Sequence, residues 1–458
     1  MAKYNILILG ASYGSLLASK IMFGGHSVRL ICLPEEAALI NTEGFRVRLP
    51  IRGLAEPVEI DSRKLPGKVS ASGADEVNPH EYDLIGLAMQ EPQYGSAGVR
   101  ELLDAIARSR VPCMSIMNMP PLAYMRRIPA LDTSALNPAY TAPEVWEHFE
   151  NGAITLCSPD PQAIRPPGEK VNVLQVTLPT NFKVARFGDA RGNDVVRTLE
   201  KDIDAARWET PGGNVELPVK LRFHDSIFVP LAKWAMLMAG NYRCITETDM
   251  RTTKEAVHSD LAASRSIYGF VVDLCIRIGA SPDDLVPFEK YAAAAKELSR
   301  PASAARALNN GAPNIERADK LVQLVARQND MVHPLLDQIA ELVDRRLDAN
   351  RKAKSAVSSQ TLHAPSSCTL WTPPLRRHPI WPHLCRCNGD SRRRAMERHG
   401  VSSRLAWRLD RRLDHYTSCG PACRPADKGY RGAAHDLKRV RQFLPSGRDG
   451  KRKFCPSR

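Results

Sequence analysis

The chain has 458 residues, too many for one average core, so two or three domains are expected. Its formal net charge of +14 sits at one end: residues 356–458 hold 22 Lys and Arg against 7 Asp and Glu, and residues 1–355 hold 42 against 43. The basic balance therefore belongs to the tail, and residues 1–355 read as an ordinary soluble enzyme. No apolar run reaches the roughly 20 residues that a membrane-spanning helix needs. The five cysteines of the body, Cys32, Cys113, Cys157, Cys244 and Cys275, are scattered and odd in number, which argues against a disulfide framework and for reduced thiols in the cytoplasm.

In chain order, "YNILILG" is a short continuous apolar run, as in a parallel strand covered on both faces. "SLLASKIMFGG" has its apolar residues at helical spacing and stops at a glycine pair, and "HSVRLICL" is the next strand. Strand, tight turn, helix and strand within about 30 residues make one βαβ unit. "YDLIGLAM" and "VPCMSIMN" are two further buried-type strands, separated by the helical "GVRELLDAIARSR". The segment "DPQAIRPPGEKVNVLQVTLPT" is irregular or β. After "NFKVARFGD" the pattern turns helical, in "DVVRTLEKDIDAARW", "IFVPLAKWAMLMAGNYRC", "SDLAASRSIYGFVVDLCIRIGA" and a last long segment from Ile315 to Arg351. The expected organisation is a dinucleotide-binding α/β domain over 1–190, a helical domain over 191–351, and a basic tail of low order over 352–458.

The turn after the first strand reads Gly10, Ala11, Ser12, Tyr13, Gly14, Ser15. In the GxGxxG fingerprint the first glycine makes the turn, the second admits the pyrophosphate and the third lets the helix pack closely. Without a gap, Ser12 and Ser15 stand for the second and third glycines; with one residue deleted, Gly14 is the third. Either way small residues line the turn, and the helix amides behind it can meet an anion. The acid that usually ends the second strand of NAD-binding units is replaced by Cys32-Leu33-Pro34. Its absence favours NADP, with NAD left open by Glu35 and Glu36 and by the lack of an arginine at that point of the sequence.

These pieces resemble the ketopantoate reductases (2-dehydropantoate 2-reductases) over residues 1 to about 350. "ILGASYGSLLA" with "GGHSVRLI", "AALINTEGFRVRL", "YDLIGLAMQEPQ", "SIMNMPP" and "LAKWAMLMAGN" are similar to segments of that family in the same order and spacing. The resemblance implies a Rossmann-type domain followed by an all-α domain of the 6-phosphogluconate dehydrogenase C-terminal kind. It implies that Gly10 to Ser15, Met89, Gln90 and Asn118 border the cofactor. Lys233 matches the general acid that protonates the ketone oxygen, and Asn118 and Asn241 match residues contacting substrate. Lys233 is also the only Lys or Arg between Arg222 and Arg243, and eight helical steps bring Asn241 to within about 80° of it.

This chain departs from the family in several places. Leu237 stands where the family has another Asn, Gln90 where many members have a cofactor-phosphate Lys, and Met119 where a Gly follows the cleft Asn. Glu316 is nearest to the late Glu that holds the substrate hydroxyl, although counting back without gaps from Pro334 gives Asn314. Ser303 is a weaker candidate for the preceding Ser. The resemblance implies an NADP-dependent reductase of a 2-oxo acid or related ketone, with a homodimer through the helical domain as an allowed assembly. The departures favour the alternative, a nucleotide-binding sensor or interaction protein that has lost catalysis. In the tail, His378, His383, Cys385 and Cys387 fall short of zinc-site spacing, so no metal is expected, and nucleic-acid binding would be weak and confined to the basic charge.

Overall fold

A strand covered on both sides must bury alternate residues in two different cores, and β1 (Asn5–Leu9) does so: Ile6 and Ile8 join one apolar cluster, Leu7 and Leu9 the other. The computed structural model describes residues 3–362 except 55, 211 and 212. The tail beyond them, with His378, His383, Cys385 and Cys387, lies outside the described residues. From β1 the chain runs through α1 (Ala11–Phe23) into β2 (Ser27–Ile31), the βαβ unit expected from the apolar pattern. Helix α2 (Pro34–Glu43) leads to a hairpin, β3 (Arg46–Leu49) and β4 (Val58–Asp61), before β5 (Val69–Ser72) returns to the main sheet. Then follow β6 (Leu84–Leu87), α3 (Val99–Ser109), β7 (Cys113–Ile116), the short α4 (Leu122–Met125) and β8 (Ile154–Ser158).

The irregular-looking segment contains β9 (Gln162–Ile164) and β10 (Val173–Leu178), which pair with each other, while β10 lies on β3 to give a second sheet of order β4-β3-β10-β9. Next come β11 (Phe182–Ala185), α5 (Ala190–Ala205), the hairpin β12 (Trp208–Thr210) and β13 (Gly213–Val215), and β14 (Leu221–His224). The main sheet has the order β14-β11-β8-β7-β6-β1-β2-β5. Six strands, from β8 to the edge strand β5, are parallel; β11 joins β8 antiparallel and β14 runs parallel to β11. Three strands between residues 208 and 224 thus interrupt a stretch expected to be helical from Asp194 onward. The winding reverses between β1 and β6, so a crevice opens beyond their carboxyl ends.

The remaining helices are α6 (Lys233–Met236), α7 (Thr253–His258), α8 (Leu261–Arg277), α9 (Phe288–Ala295), α10 (Ser303–Asn309), α11 (Ala318–Gln328) and α12 (Pro334–Leu362). Their starts carry side-chain caps where the sequence provides them, as with Asp260 accepting from the Ala263 amide at 2.9 Å and Thr252 forming a reciprocal pair with Glu255. The last long apolar segment is two helices, not one, parted at Asp330, whose φ of 57° is left-handed, and restarted by Pro334. Leu231, Trp234, Ile267, Leu321 and Val343 share one buried cluster with Leu7 and Leu87, so the helices close directly on one face of the sheet.

"IFVPLAKWAMLMAGNYRC", expected as one regular helix, is a chain of turns: a 3₁₀ turn at Val229–Ala232, α6, a π turn at Leu237–Asn241 and a second 3₁₀ turn at Tyr242–Cys244. The cause lies in α9. An α ladder would assign the Met236 carbonyl to the amide of Gly240, but the Tyr291 hydroxyl donates to that carbonyl at 3.1 Å. A hydroxyl inserted into the ladder lets the turn widen. Gly240 makes room for it, since a Cβ there would stand 2.0 Å from the Tyr291 oxygen.

Candidate active site

Three sequence segments meet on the carboxyl edge of the central strands: the Gly10 turn after β1, Met89 and Gln90 after β6, and Asn118 after β7. Gly10 has φ 101°, and a Cβ there would lie 2.8 Å from the Ala88 carbonyl oxygen and 2.7 Å from Met89 Cγ. The turn can therefore approach β6 only as glycine. Gly14 is buried against the first strand, where a Cβ would lie 2.7 Å from Ile8 Cγ2, so it fills the helix-packing place that the ungapped reading gave to Ser15. Ser15 is buried and its hydroxyl bonds the Ser12 carbonyl at 2.9 Å, while Ser12 itself is exposed. Helix α1 has neither a side-chain cap nor an acidic residue in its first turn, unlike α5, where Asp189 caps the Gly192 amide at 2.9 Å. An uncapped, acid-free start leaves amide N–H groups to meet an anion. Gly10→Ala is expected to lower stability by about 2 kcal/mol, because it combines a strained φ with a backbone clash, and to abolish nucleotide binding; thermal melts with and without nucleotide check both.

At the other end of this crevice Leu33 is three-quarters exposed, and Arg165, the residue after β9, reaches across to the Glu36 carboxylate. The sequence shows no arginine at the end of β2; the fold brings one from a different sheet.

Asn118 follows β7 directly, and its amide donates to Glu316 Oε2 at 3.1 Å. Glu316 is 7% exposed. Tyr242, from the 3₁₀ turn after the π turn, fixes the chain there: its hydroxyl donates to the Glu316 carbonyl and accepts from the Ala318 amide at 3.0 Å. Burial pushes the Glu316 carboxyl up to about 7, opposed by the hydrogen bond from Asn118 and the charge of Lys233 and reinforced by the neighbouring carboxyl of Glu91. Glu91 is itself buried and raised by burial, and it accepts from the Thr141 amide at 2.9 Å and the Thr141 hydroxyl at 3.0 Å.

One pocket is lined by Gln90, Asn118, Leu237, Asn241, Tyr242, Ser303, Ala304 and Glu316. Candidates spread over more than 200 residues of sequence thus border one space, Ser303 included. Asn314 does not: it lines a separate cleft with Arg317 and Arg351, and Arg351 donates to its side chain at 3.1 Å. Eight α-helical steps from Lys233 to Asn241 overshoot two full turns by about 80°. The π turn advances less per residue and removes part of that offset.

Lys233 stands beside this lining. Its ammonium donates to the Pro159 carbonyl at 2.5 Å and lies 3.6 Å from Asp160 Oδ1. Burial lowers its proton affinity below that of an ordinary lysine, the charges of Asp160 and Glu316 raise it, and Lys183 lowers it further. A lysine with a lowered proton affinity beside a polar pocket can both donate a proton and stabilise a developing negative charge. Among the described residues no cluster of three or more His, Cys, Asp or Glu could hold a metal ion, the five body cysteines are unpaired, and no helix is long and apolar enough to cross a membrane. Sequence reasoning missed Glu91, Asp160, Arg165, Lys183 and Tyr242, all of which act on the candidates through contacts distant in sequence.

The architecture is a Rossmann-type β/α domain followed by an all-α domain of the 6-phosphogluconate dehydrogenase C-terminal-like kind, as solved structures bear out. The chain is similar to 2-dehydropantoate 2-reductase from Methylococcus capsulatus, at 15% identity over 76% of this chain and 97% of that one, with a TM-score of 0.52. It is similar to D-mandelate dehydrogenase, in a ternary structure with NADH and anilino(oxo)acetate, at 15% identity, 76% and 99% coverage and a TM-score of 0.51. The probable 2-dehydropantoate 2-reductase panE from Bacillus subtilis gives 13%, 75%, 99% and 0.50. No protein-family model and no curated protein sequence matches the chain.

Proposed function

We propose that the protein is an NAD(P)H-dependent reductase of a 2-oxo acid or related ketone. The observation that carries this reading is the buried Asn118–Glu316 pair at the edge of the nucleotide crevice, with Lys233 beside it. The residues fit a dinucleotide: α1 begins uncapped and free of acid, and Gly10 holds the turn against β6. The nicotinamide, when bound, supplies the hydride to the carbonyl carbon. Lys233 gives its Nζ proton to the carbonyl oxygen, so the ketone leaves as an alcohol. Asn118 and Asn241 orient the substrate by hydrogen bonds, and Glu316 receives or donates one to a neighbouring substrate group according to its own proton. Leu237 offers no such bond, which tunes substrate choice more than reaction type. The solved structures similar to this chain include a 2-dehydropantoate 2-reductase and a D-mandelate dehydrogenase, which supports the substrate class.

The second reading, a sensor without turnover, is favoured by the engagement of the Lys233 ammonium with Pro159 and Asp160 and by the apolar Leu237 in the lining. Incubation with NADPH and a panel of 2-oxo acids and neutral ketones separates the two. Oxidation of NADPH with any of them supports the reductase; tight NADPH binding with none turned over supports the sensor.

Within the reductase reading NADPH binds more tightly than NADH. No acid ends β2, and Arg165, which pairs with Glu36 of the following helix, would offer its cation to a 2′-phosphate. Calorimetry is expected to give the tighter constant for NADPH, and Arg165→Ala to erase the difference; tighter NADH binding in the wild type would sink the preference.

A further inference from the structure

We infer that Asp160 is a positioning residue for Lys233: its carboxylate is the fixed counter-charge that aims the ammonium and leaves donor protons free for substrate. The inference rests on the reading of Lys233 as the proton donor, and its geometry stands apart from that reading. Asp160 follows β8 in "SPDPQ", flanked by Pro159 and Pro161, whose rings restrict the backbone. Its amide donates to the Ser158 carbonyl at 2.9 Å, and the Ser158 hydroxyl donates to its Oδ1. Its Oδ2 lies 3.1 Å from the Lys183 ammonium, and Lys183 is the register partner of Ser158 across β8 and β11. On the far side, Tyr13 of the Gly10 turn donates to the Pro161 carbonyl at 2.6 Å. Two contacts, from Ser158 and Lys183, thus hold the carboxylate itself, two more hold the backbone around it, and its side chain is 15% exposed.

A lysine ammonium has three donor protons. The Pro159 carbonyl takes one at 2.5 Å, and Asp160, at 3.6 Å, acts as a counter-charge without taking a second, which leaves donor protons for substrate. The charged groups acting on Lys233 are Asp160, Glu316 and Lys183, and the Cys157 thiol lies close enough to feel its charge. Asp160 sits between two ammonium groups and answers both. Removing its charge leaves Lys233 facing Lys183 with only Glu316 opposing, so Lys233 should hold its proton less firmly. Removing Lys183 should act in the opposite direction, a sign reversal that a merely structural role does not produce.

The test reads Lys233 directly, with or without turnover: the pH dependence of its acylation in the intact full chain, followed site by site by mass spectrometry, beside the alkaline limb of the kcat profile for any ketone reduced. Asp160→Asn is expected to move both midpoints down by about one pH unit, the scale of a near opposite charge. Asp160→Glu should stay close to the wild-type midpoint, and Lys183→Gln should move the midpoint up. A labelling midpoint unchanged in Asp160→Asn, or moved down equally in Lys183→Gln, overturns the inference. Displaced labelling midpoints in a chain that reduces no ketone would uphold the contact and refute the reductase reading, so the two failures are told apart. Should Asp160→Asn fail to fold, the Asp160→Glu and Lys183→Gln midpoints decide on their own, by retention and by sign.

Discussion

Lys233→Ala is expected to lower kcat by about 10²-fold or more while leaving NADPH affinity nearly unchanged. The magnitude follows from what the side chain would supply under the proposed reductase reading: a proton for the carbonyl oxygen and a positive charge where negative charge develops, in a place that is only 16% exposed. Lysines on helices are mostly solvated and replaceable, but this one is desolvated and already aimed by a carbonyl and a carboxylate. The cofactor turn touches it only indirectly, through Tyr13 and the Pro159–Pro161 segment, so dinucleotide affinity is the internal control. Stopped-flow reduction and calorimetry on the same preparation check the split. Equal turnover in the variant would remove Lys233 from the chemistry and leave it a structural cation held by Pro159 and Asp160.

What was legible in the sequence was whatever depends on near neighbours. The two-sided burial of β1, the glycine that must turn at Gly10, and Asn118 at a strand end before Pro120-Pro121 can all be read within a few residues. The choice between Glu316 and Asn314 could not be made so locally, because two positions of offset decide whether a side chain joins Asn118 or Arg351. The π turn was hidden for a related reason: its cause is Tyr291, which the sequence places 55 residues after the carbonyl it takes. Glu91, followed by a proline in a turn, reads as a solvated acid until Thr141 and Glu316 are seen around it. Asp160 and Arg165 lie in the segment read as irregular or β, on either side of β9, and only the pairing of that strand gives them addresses. Local pattern specifies elements; the charges that tune the site come from packing between elements, which no short window contains.

Glu316→Gln is expected to flatten a pH dependence of stability and to raise stability above neutral pH. Burial lifts the Glu316 carboxyl from 4.5 to about 7, and Glu91, facing it, pushes in the same direction. Because the folded value is the higher one, the native chain keeps a proton between pH 4.5 and about 7 that the unfolded chain has released. The stabilising contribution is therefore complete below the ordinary carboxyl value and is lost as pH rises through about 7. Each tenfold difference in proton affinity between the folded and unfolded chain is worth about 1.36 kcal/mol, so the loss amounts to roughly 3 kcal/mol. Glutamine is always neutral and still offers an oxygen to the Asn118 amide, so the variant keeps the contact and drops the slope. Two other acids, Glu36 and Asp319, also titrate above their ordinary values, and their slopes are common to both proteins. The difference between wild type and variant isolates Glu316 together with its coupling to Glu91. Urea unfolding at pH 5 and pH 8 should give curves that nearly coincide at the lower pH and separate at the higher, with the variant the more stable. Curves offset equally at both pH values would mean that Glu316 is already ionised at pH 5, with the Asn118 hydrogen bond and the charge of Lys233 outweighing its burial.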